Sequence, residues 1–80
     1  MRSGLVVLSP GSSVGVHSTE DFEELVIVLE GQGKMQMVEG DSLAIRVGVA
    51  VYCPPQTEHD VVNTGTGPLR YVYVVAKTGM

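Results

Sequence analysis

The sequence contains no tryptophan, only one cysteine, and only five lysine and arginine residues among its 80 residues. The single cysteine, Cys53, excludes a disulfide bond within the chain, and burial as a small apolar side chain explains it better than a redox role. Nine aspartate and glutamate residues leave a formal net charge of −4. Proteins that bind nucleic acid or anionic membranes carry basic surfaces, so we exclude both partners.

The sequence also lacks a long apolar run. The segment from Leu5 to Leu8 is too short for a signal peptide or a membrane span, and Arg2 is the only charged side chain before it. We therefore expect a cytoplasmic protein.

The composition is that of a packed domain, with 44% hydrophobic residues, ten glycines and four prolines. The length predicts one domain, residues 1–80. This length is close to the lower limit at which a core holds together without additional support. We therefore expect a bound metal or a partner subunit to contribute stability.

Short apolar segments alternate with clusters of glycine, proline, asparagine and aspartate, a pattern typical of an all-β sandwich or barrel. Eight antiparallel strands without helices predict a double-sheet jelly roll. The alternation of side chains along a strand predicts that Met35 and Met37 face the core. In the last strand both faces are apolar, so alternation does not predict which face is buried. The predicted strands are Leu5 to Leu8, Ser13 to Ser18, Glu23 to Glu30, Lys34 to Val38, Ser42 to Arg46, Ala50 to Cys53, His59 to Asn63 and Leu69 to Ala76.

Two groups of residues combine histidine with glycine at particular spacings. The first consists of Gly11, His17 after five intervening residues, Thr19 two positions on, Glu24 after four and Gly31 after six. Imidazole nitrogens and carboxylate oxygens are ligands that borderline divalent metals accept.

The second group begins at Gly48. Pro54 follows after five intervening residues, Gln56 two positions on, His59 after two and Asn63 after three. His59 adds a second imidazole to the candidate ligands of the first group. Two histidines and one carboxylate leave coordination positions open for water, dioxygen or substrate.

Both groups match the spacing of the paired motifs of the cupin superfamily, so the chain resembles a minimal single-domain cupin over residues 11–63. Two residues depart from the family pattern: Thr19 stands in place of a second motif histidine, and Gln56 in place of a glycine. Because glutamine adopts positive φ less readily than glycine, we expect the loop before His59 to differ from the usual one.

The resemblance implies a double-stranded β-helix, or jelly-roll barrel, holding one divalent transition metal: iron, manganese, zinc, nickel or copper. It assigns His17, Glu24 and His59 as metal ligands, with Thr19 contacting the metal through a water molecule. The alternative is a degenerate cupin whose barrel is filled without metal.

The fold does not determine the reaction, because cupins include dioxygenases, isomerases, lyases, decarboxylases and binding modules. For an enzyme, the first hypothesis is an oxygen-dependent, dioxygenase-type reaction on a small organic molecule at iron or manganese, with Tyr71 or Tyr73 as candidate catalytic residues for proton transfer. The second is a non-enzymatic module that binds or senses a small molecule. The third is a structural dimerisation domain.

A homodimer is expected for a different reason. A small open jelly roll leaves strand edges whose backbone groups lack partners, and a symmetric copy often covers such edges. Leu5 to Leu8 is apolar on both faces and lies outside the matched motifs. We therefore expect this segment to pair across the dimer interface.

Overall fold

The computed structural model describes residues 1–78 and contains eight β-strands, each overlapping a segment that the sequence predicts. Its residues include no helix long and apolar enough to cross a membrane. The strands are β1 (Arg2–Leu8), β2 (His17–Ser18), β3 (Phe22–Glu30), β4 (Gln32–Met37), β5 (Leu43–Arg46), β6 (Ala50–Cys53), β7 (Glu58–Asn63) and β8 (Leu69–Lys77).

The strands form two four-stranded sheets. The first sheet has the order β1-β8-β3-β6 and the second has the order β2-β7-β4-β5. Every pair of neighbouring strands is antiparallel. The predicted jelly roll is confirmed.

The core lies between the two sheets and is built from alternate residues of each strand. Val26 on β3 and Met35 on β4 are completely buried, and Met37 packs against them from the margin of the core. Both methionines therefore point inward, as alternation predicts. Cys53 is also completely buried, in agreement with its interpretation as a small apolar side chain.

Strand β8 lies in the middle of the first sheet, between β1 and β3. Leu69, Tyr71 and Val75 point inward and are buried, whereas Val72 and Val74 on the opposite face are half-buried. The sequence pattern left this choice open because both faces of the strand are apolar. The position of the second sheet determines which face belongs to the core.

The prediction of a continuous strand from Ser13 to Ser18 is wrong. Only His17–Ser18 forms a strand, and Ser13 makes an isolated bridge with Val62. Gly15 has a φ of 107°, a left-handed conformation that interrupts an extended strand. The interruption redirects the chain just before His17.

The turn between β3 and β4 is very short, because β3 ends at Glu30 and β4 begins at Gln32. Gly31 alone makes the turn, with a φ of 84°, and a Cβ atom there would collide with the carbonyl oxygen of Pro68. A glycine is therefore required at this position for both conformation and space.

The end of β7 is fastened by the buried side chain of Asn63. Its amide nitrogen donates to the carbonyl oxygens of Leu8 and Gly67, each at 2.9 Å, and its amide oxygen accepts from the Gly65 nitrogen at 2.9 Å. Asn63 therefore joins β1 to the turn that follows β7.

Candidate metal centre

Three side chains that the sequence selects as metal ligands converge between the sheets. Ligand atoms of His17, Glu24 and His59 all lie within 4.8 Å of one another. His17 and His59 are register partners on the neighbouring strands β2 and β7, and their ring centroids are 4.3 Å apart. Glu24 reaches them from β3 in the opposite sheet.

Both histidines are oriented by main-chain carbonyl groups. The Nδ1 atom of His17 lies 2.8 Å from the Gly15 oxygen, and the Nδ1 atom of His59 lies 3.1 Å from the Thr57 oxygen. A carbonyl oxygen only accepts, so these contacts suit the tautomer that carries its proton on Nδ1 and donates it to the carbonyl. The neutral ring then has its lone pair on Nε2, the arrangement by which proteins usually orient histidine ligands of metals.

The contact between His59 and Glu24 needs a proton or a metal ion between the two atoms. The Nε2 atom of His59 lies 3.0 Å from Oε1 of Glu24, and both atoms carry lone pairs when the imidazole is neutral. Two acceptors at this distance repel each other unless a proton or a metal ion lies between them. The donor set therefore fits a divalent transition metal, with His17, His59 and Glu24 as the residues that would hold it.

Protonation of His59 is the alternative to metal binding. The hydrogen bond with Glu24 raises the pKa of His59 from its ordinary value of 6.5, and burial of the ring opposes this only in part. The buried Cys53 thiol lies 3.5 Å from Nδ1 of His59. Burial, followed by the charge of Glu24, raises the pKa of Cys53 to about 11. Cys53 therefore stays a neutral thiol at pH 7 and is a poor metal ligand.

Thr19 is buried next to the site, and its hydroxyl connects two loops. The hydroxyl donates to the Pro54 oxygen at 2.7 Å and accepts from the Thr57 nitrogen at 3.1 Å. It thereby holds the chain after His17 against the chain before His59. One lone pair of Thr19 Oγ1 is left for a water molecule, so its contact with a metal-bound water stays a prediction.

Two residues in left-handed conformation flank this connection. Glu20 has a φ of 54° and Gln56 has a φ of 55°, and the Gln56 nitrogen donates to the Glu20 oxygen at 2.7 Å. Gln56 therefore adopts the positive φ that a glycine would adopt more readily. The departure from the family pattern introduces backbone strain next to the histidines, a feature common at functional sites.

Replacing Gln56 with glycine is expected to stabilise the protein. The left-handed conformation costs a residue with a Cβ atom about 1–2 kcal/mol, whereas glycine loses about 0.5–1 kcal/mol of additional chain entropy. The net increase in the free energy of unfolding should be about 0.5–1 kcal/mol, measured by chemical denaturation.

The matched control is Gln36→Gly, because Gln36 is an exposed glutamine within strand β4. At position 36 the substitution to glycine adds only the larger loss of chain entropy on folding, so we expect a decrease in the free energy of unfolding. Equal destabilisation by both substitutions would contradict the strain at Gln56.

A cavity of about 420 Å³ opens beside the site and is lined in part by His17 and Glu24. Both candidate tyrosines lie in its wall: Tyr71 is buried, whereas Tyr73 is half-buried. Burial, with a smaller effect from Glu24, raises the pKa of Tyr71. Its phenol therefore stays protonated near pH 7 and acts as a hydrogen-bond donor rather than a base. Tyr73 packs across Gly4, where a Cβ atom would lie 2.5 Å from the tyrosine oxygen.

Several residues of the site were not singled out from the sequence. Arg2, Glu20 and Phe22 line the cavity. Alternation along β1 could have revealed Arg2, because it is in phase with the inward-facing Val6. No sequence signal marks the carbonyl groups that orient the histidines, since any residue type supplies one.

Comparison with known proteins agrees with the fold. The family model described as the cupin domain matches residues 4–75. A crystal structure of a predicted oxalate decarboxylase from Thermotoga maritima superposes with a TM-score of 0.87 and 29% identity, over 95% of this chain and 65% of that one.

Two curated relatives carry functional names. An oxalate-binding protein from Thermotoga maritima is 32% identical over 68 residues, which cover 85% of this chain and 55% of the relative. A glucose-6-phosphate isomerase from Pyrococcus abyssi is 36% identical over 62 residues, 72% of this chain and 33% of the relative. The chain thus spans between a third and about half of the length of these relatives. The extent of the family match, together with the jelly-roll fold, shows that the chain belongs to the cupin domain family.

Proposed function

We propose that this cupin binds one divalent transition metal through Nε2 of His17, Nε2 of His59 and the carboxylate of Glu24, and takes a small organic molecule into the adjacent cavity. The observation that carries the proposal is the 3.0 Å approach of His59 Nε2 to Glu24 Oε1, with the Nδ1 proton directed to Thr57. Iron, manganese, zinc, nickel and copper all accept this donor set, so the metal's identity is left open.

When bound, such a metal supplies a Lewis acid with exchangeable positions for a ligand. The residues of this chain orient and protect those positions. Gly15 and Thr57 hold the imidazoles, and Thr19 fixes the loops between which they lie. Tyr71 offers a protonated phenol to the cavity as hydrogen-bond donor.

As for the reaction, oxygen-dependent oxidation or cleavage of the small molecule at iron or manganese is our first hypothesis, with isomerisation and lyase chemistry as alternatives. The second candidate function is non-enzymatic binding of a small molecule. It is favoured by the similarity to an oxalate-binding protein, whose name describes binding and not turnover. We further propose a cytoplasmic location.

Elemental analysis tests the metal site directly. Protein purified after metal supplementation is expected to contain close to one transition metal per chain, and removal of that metal by a chelator should lower the melting temperature, because the metal binds only the folded state. Less than about a tenth of a metal per chain, with no chelator effect, would contradict the proposal.

We also propose that the protein is a homodimer whose subunits pack through the outer face of the first sheet. Val6 and Leu8 point into the core, so only Leu5 and Val7 of the predicted interface segment are exposed, at 55% and 58%. They belong to a larger apolar face of exposed side chains. Its six most exposed members are Leu5, Val7, Leu25, Ile27, Leu29 and Tyr52.

The size and charge of this outer face suit a second copy of the chain. Its six side chains expose on the order of 500 Å², within the range of the largest apolar patch on a typical monomer and more than half of the ~800 Å² that each partner buries in a standard interface. Arg70 lies near one end and Glu23 near the other, opposite Ala76 on β8. A two-fold axis across the strands would bring each Arg70 toward the Glu23 of the other copy.

Light scattering coupled to gel filtration tests the dimer. We expect twice the mass of one chain at tens of micromolar, on the order of ordinary assay concentrations, and a monomer for Leu5→Lys, because a buried unpaired charge is costly in an interface. Val16→Lys is the control, since Val16 is 61% exposed and lies outside the face. A monomeric parent protein would overturn the proposal.

A further inference from the structure

Arg2 occupies the same row of the first sheet as a candidate metal ligand. In the strand register, Arg2 is opposite Val75, and Val75 is opposite Glu24. Partners in such a row point to the same side of the sheet, and all three residues line the cavity. Adjacent strands are about 4.8 Å apart, so the Cα atoms of Arg2 and Glu24 are separated by roughly 10 Å across the row.

The guanidinium of Arg2 has no carboxylate partner among residues 1–78. The ion pairs of this region involve other side chains, and Arg2 instead lies over the ring of Phe22, 5.8 Å from its centroid. Arg2 is the only arginine or lysine in the described part of the chain that lines the cavity. Its position supplies a fixed positive charge at the end of the row opposite Glu24.

The charges of the cavity depend on the metal. Without it, the cavity wall contains the carboxylates of Glu20 and Glu24 together with Arg2 and His17. A divalent metal held by neutral imidazoles and Glu24 adds a net positive charge at one end of the row. The cavity would then present positive charge at two points, separated by the apolar side chain of Val75.

We infer that Arg2 is a ligand-binding residue that selects small organic anions with two donor groups, such as short dicarboxylic acids. One carboxylate pairs with the Arg2 guanidinium, which suits a planar bidentate contact. The other donor group faces the three candidate metal ligands. This inference rests on the proposed metal site and adds the chemical class of the ligand, together with the residue that selects it.

Calorimetric titration of the zinc-loaded protein with malonate tests this assignment. Arg2→Met should weaken malonate binding about ten- to hundredfold, the effect of removing one charge-assisted bidentate contact. Arg2→Lys should recover part of the loss, because lysine keeps the charge without the planar geometry. The uncharged analogue malonamide should bind the parent protein and Arg2→Met equally weakly, and the metal-free protein should not bind malonate.

The matched control is Arg46→Met, because Arg46 is exposed on β5 in the second sheet and lies outside the cavity. We expect unchanged malonate affinity for this variant. Zinc affinity and melting temperature, measured for each protein, should be equal in the parent and in Arg2→Met.

The outcomes separate the inference from the proposed function. Zinc binding with equal malonate affinity in the parent and in Arg2→Met would overturn the role of Arg2 while leaving the metal site intact. Zinc binding without any affinity for malonate, or for the longer succinate, would overturn the ligand class. Failure of the parent protein to bind zinc or any other transition metal would refute the proposed function, and the inference with it.

Discussion

Replacing His17 with alanine is expected to lower the affinity for divalent metal by at least about a hundredfold and to leave the fold intact. Changes to residues that merely orient a ligand cost about 10–100-fold, so removing the ligand itself should cost more. His17 is exposed, and its side chain contributes little to the core. Competition with a chromophoric chelator measures the affinity, and circular dichroism checks the fold.

Two further variants make this test specific. Glu20→Gln removes a carboxylate that lines the same cavity but is not one of the three converging ligands, so metal affinity should change little. His59→Ala should also abolish tight binding, although it leaves a void where a completely buried ring had been. Retention of parental affinity by folded His17→Ala would refute the assignment of His17.

Metal affinity is expected to fall steeply with decreasing pH. Each imidazole must be neutral to bind, and the hydrogen bond with Glu24 raises the pKa of His59 from 6.5 in the metal-free protein. The loss should therefore begin above pH 6.5. It should approach about a hundredfold per pH unit once both histidines bind protons, because each contributes up to tenfold. Titrations between about pH 8 and pH 5 measure it, and a flat profile would contradict histidine ligation.

The metal-free protein provides a control, because the contribution of His59 to its stability should change with pH in the direction opposite to metal affinity. A histidine whose pKa is raised by folding contributes stability that is fully present below the unfolded value of 6.5 and is lost as pH rises through the folded pKa. The contribution of His59 to stability therefore decreases with rising pH when the metal is absent. Replacing Glu24 with glutamine should diminish this dependence, because the carboxylate is its main cause.

Much of the site was predictable because its residues occur in local motifs. The spacings around His17 and His59 identified all three converging side chains, and the alternation of apolar residues assigned Met35 and Met37 to the core. The prediction of a continuous strand from Ser13 to Ser18 was wrong because one residue with positive φ, Gly15, interrupts a sequence pattern that otherwise favours a strand. Such a conformation depends on the neighbouring strand β7 and not on residue type alone.

The sequence by itself determined the fold class, because alternation expresses the geometry of single strands, and it gave the candidate ligand set through the resemblance of the motif spacings to those of cupins. Only the tertiary structure decided how the strands and turns are arranged relative to one another. The row that joins Arg2 to Glu24 depends on the register of β1, β8 and β3, strands far apart in the chain. Likewise, the carbonyl groups of Gly15 and Thr57 orient the histidines through backbone geometry, which residue identity does not encode.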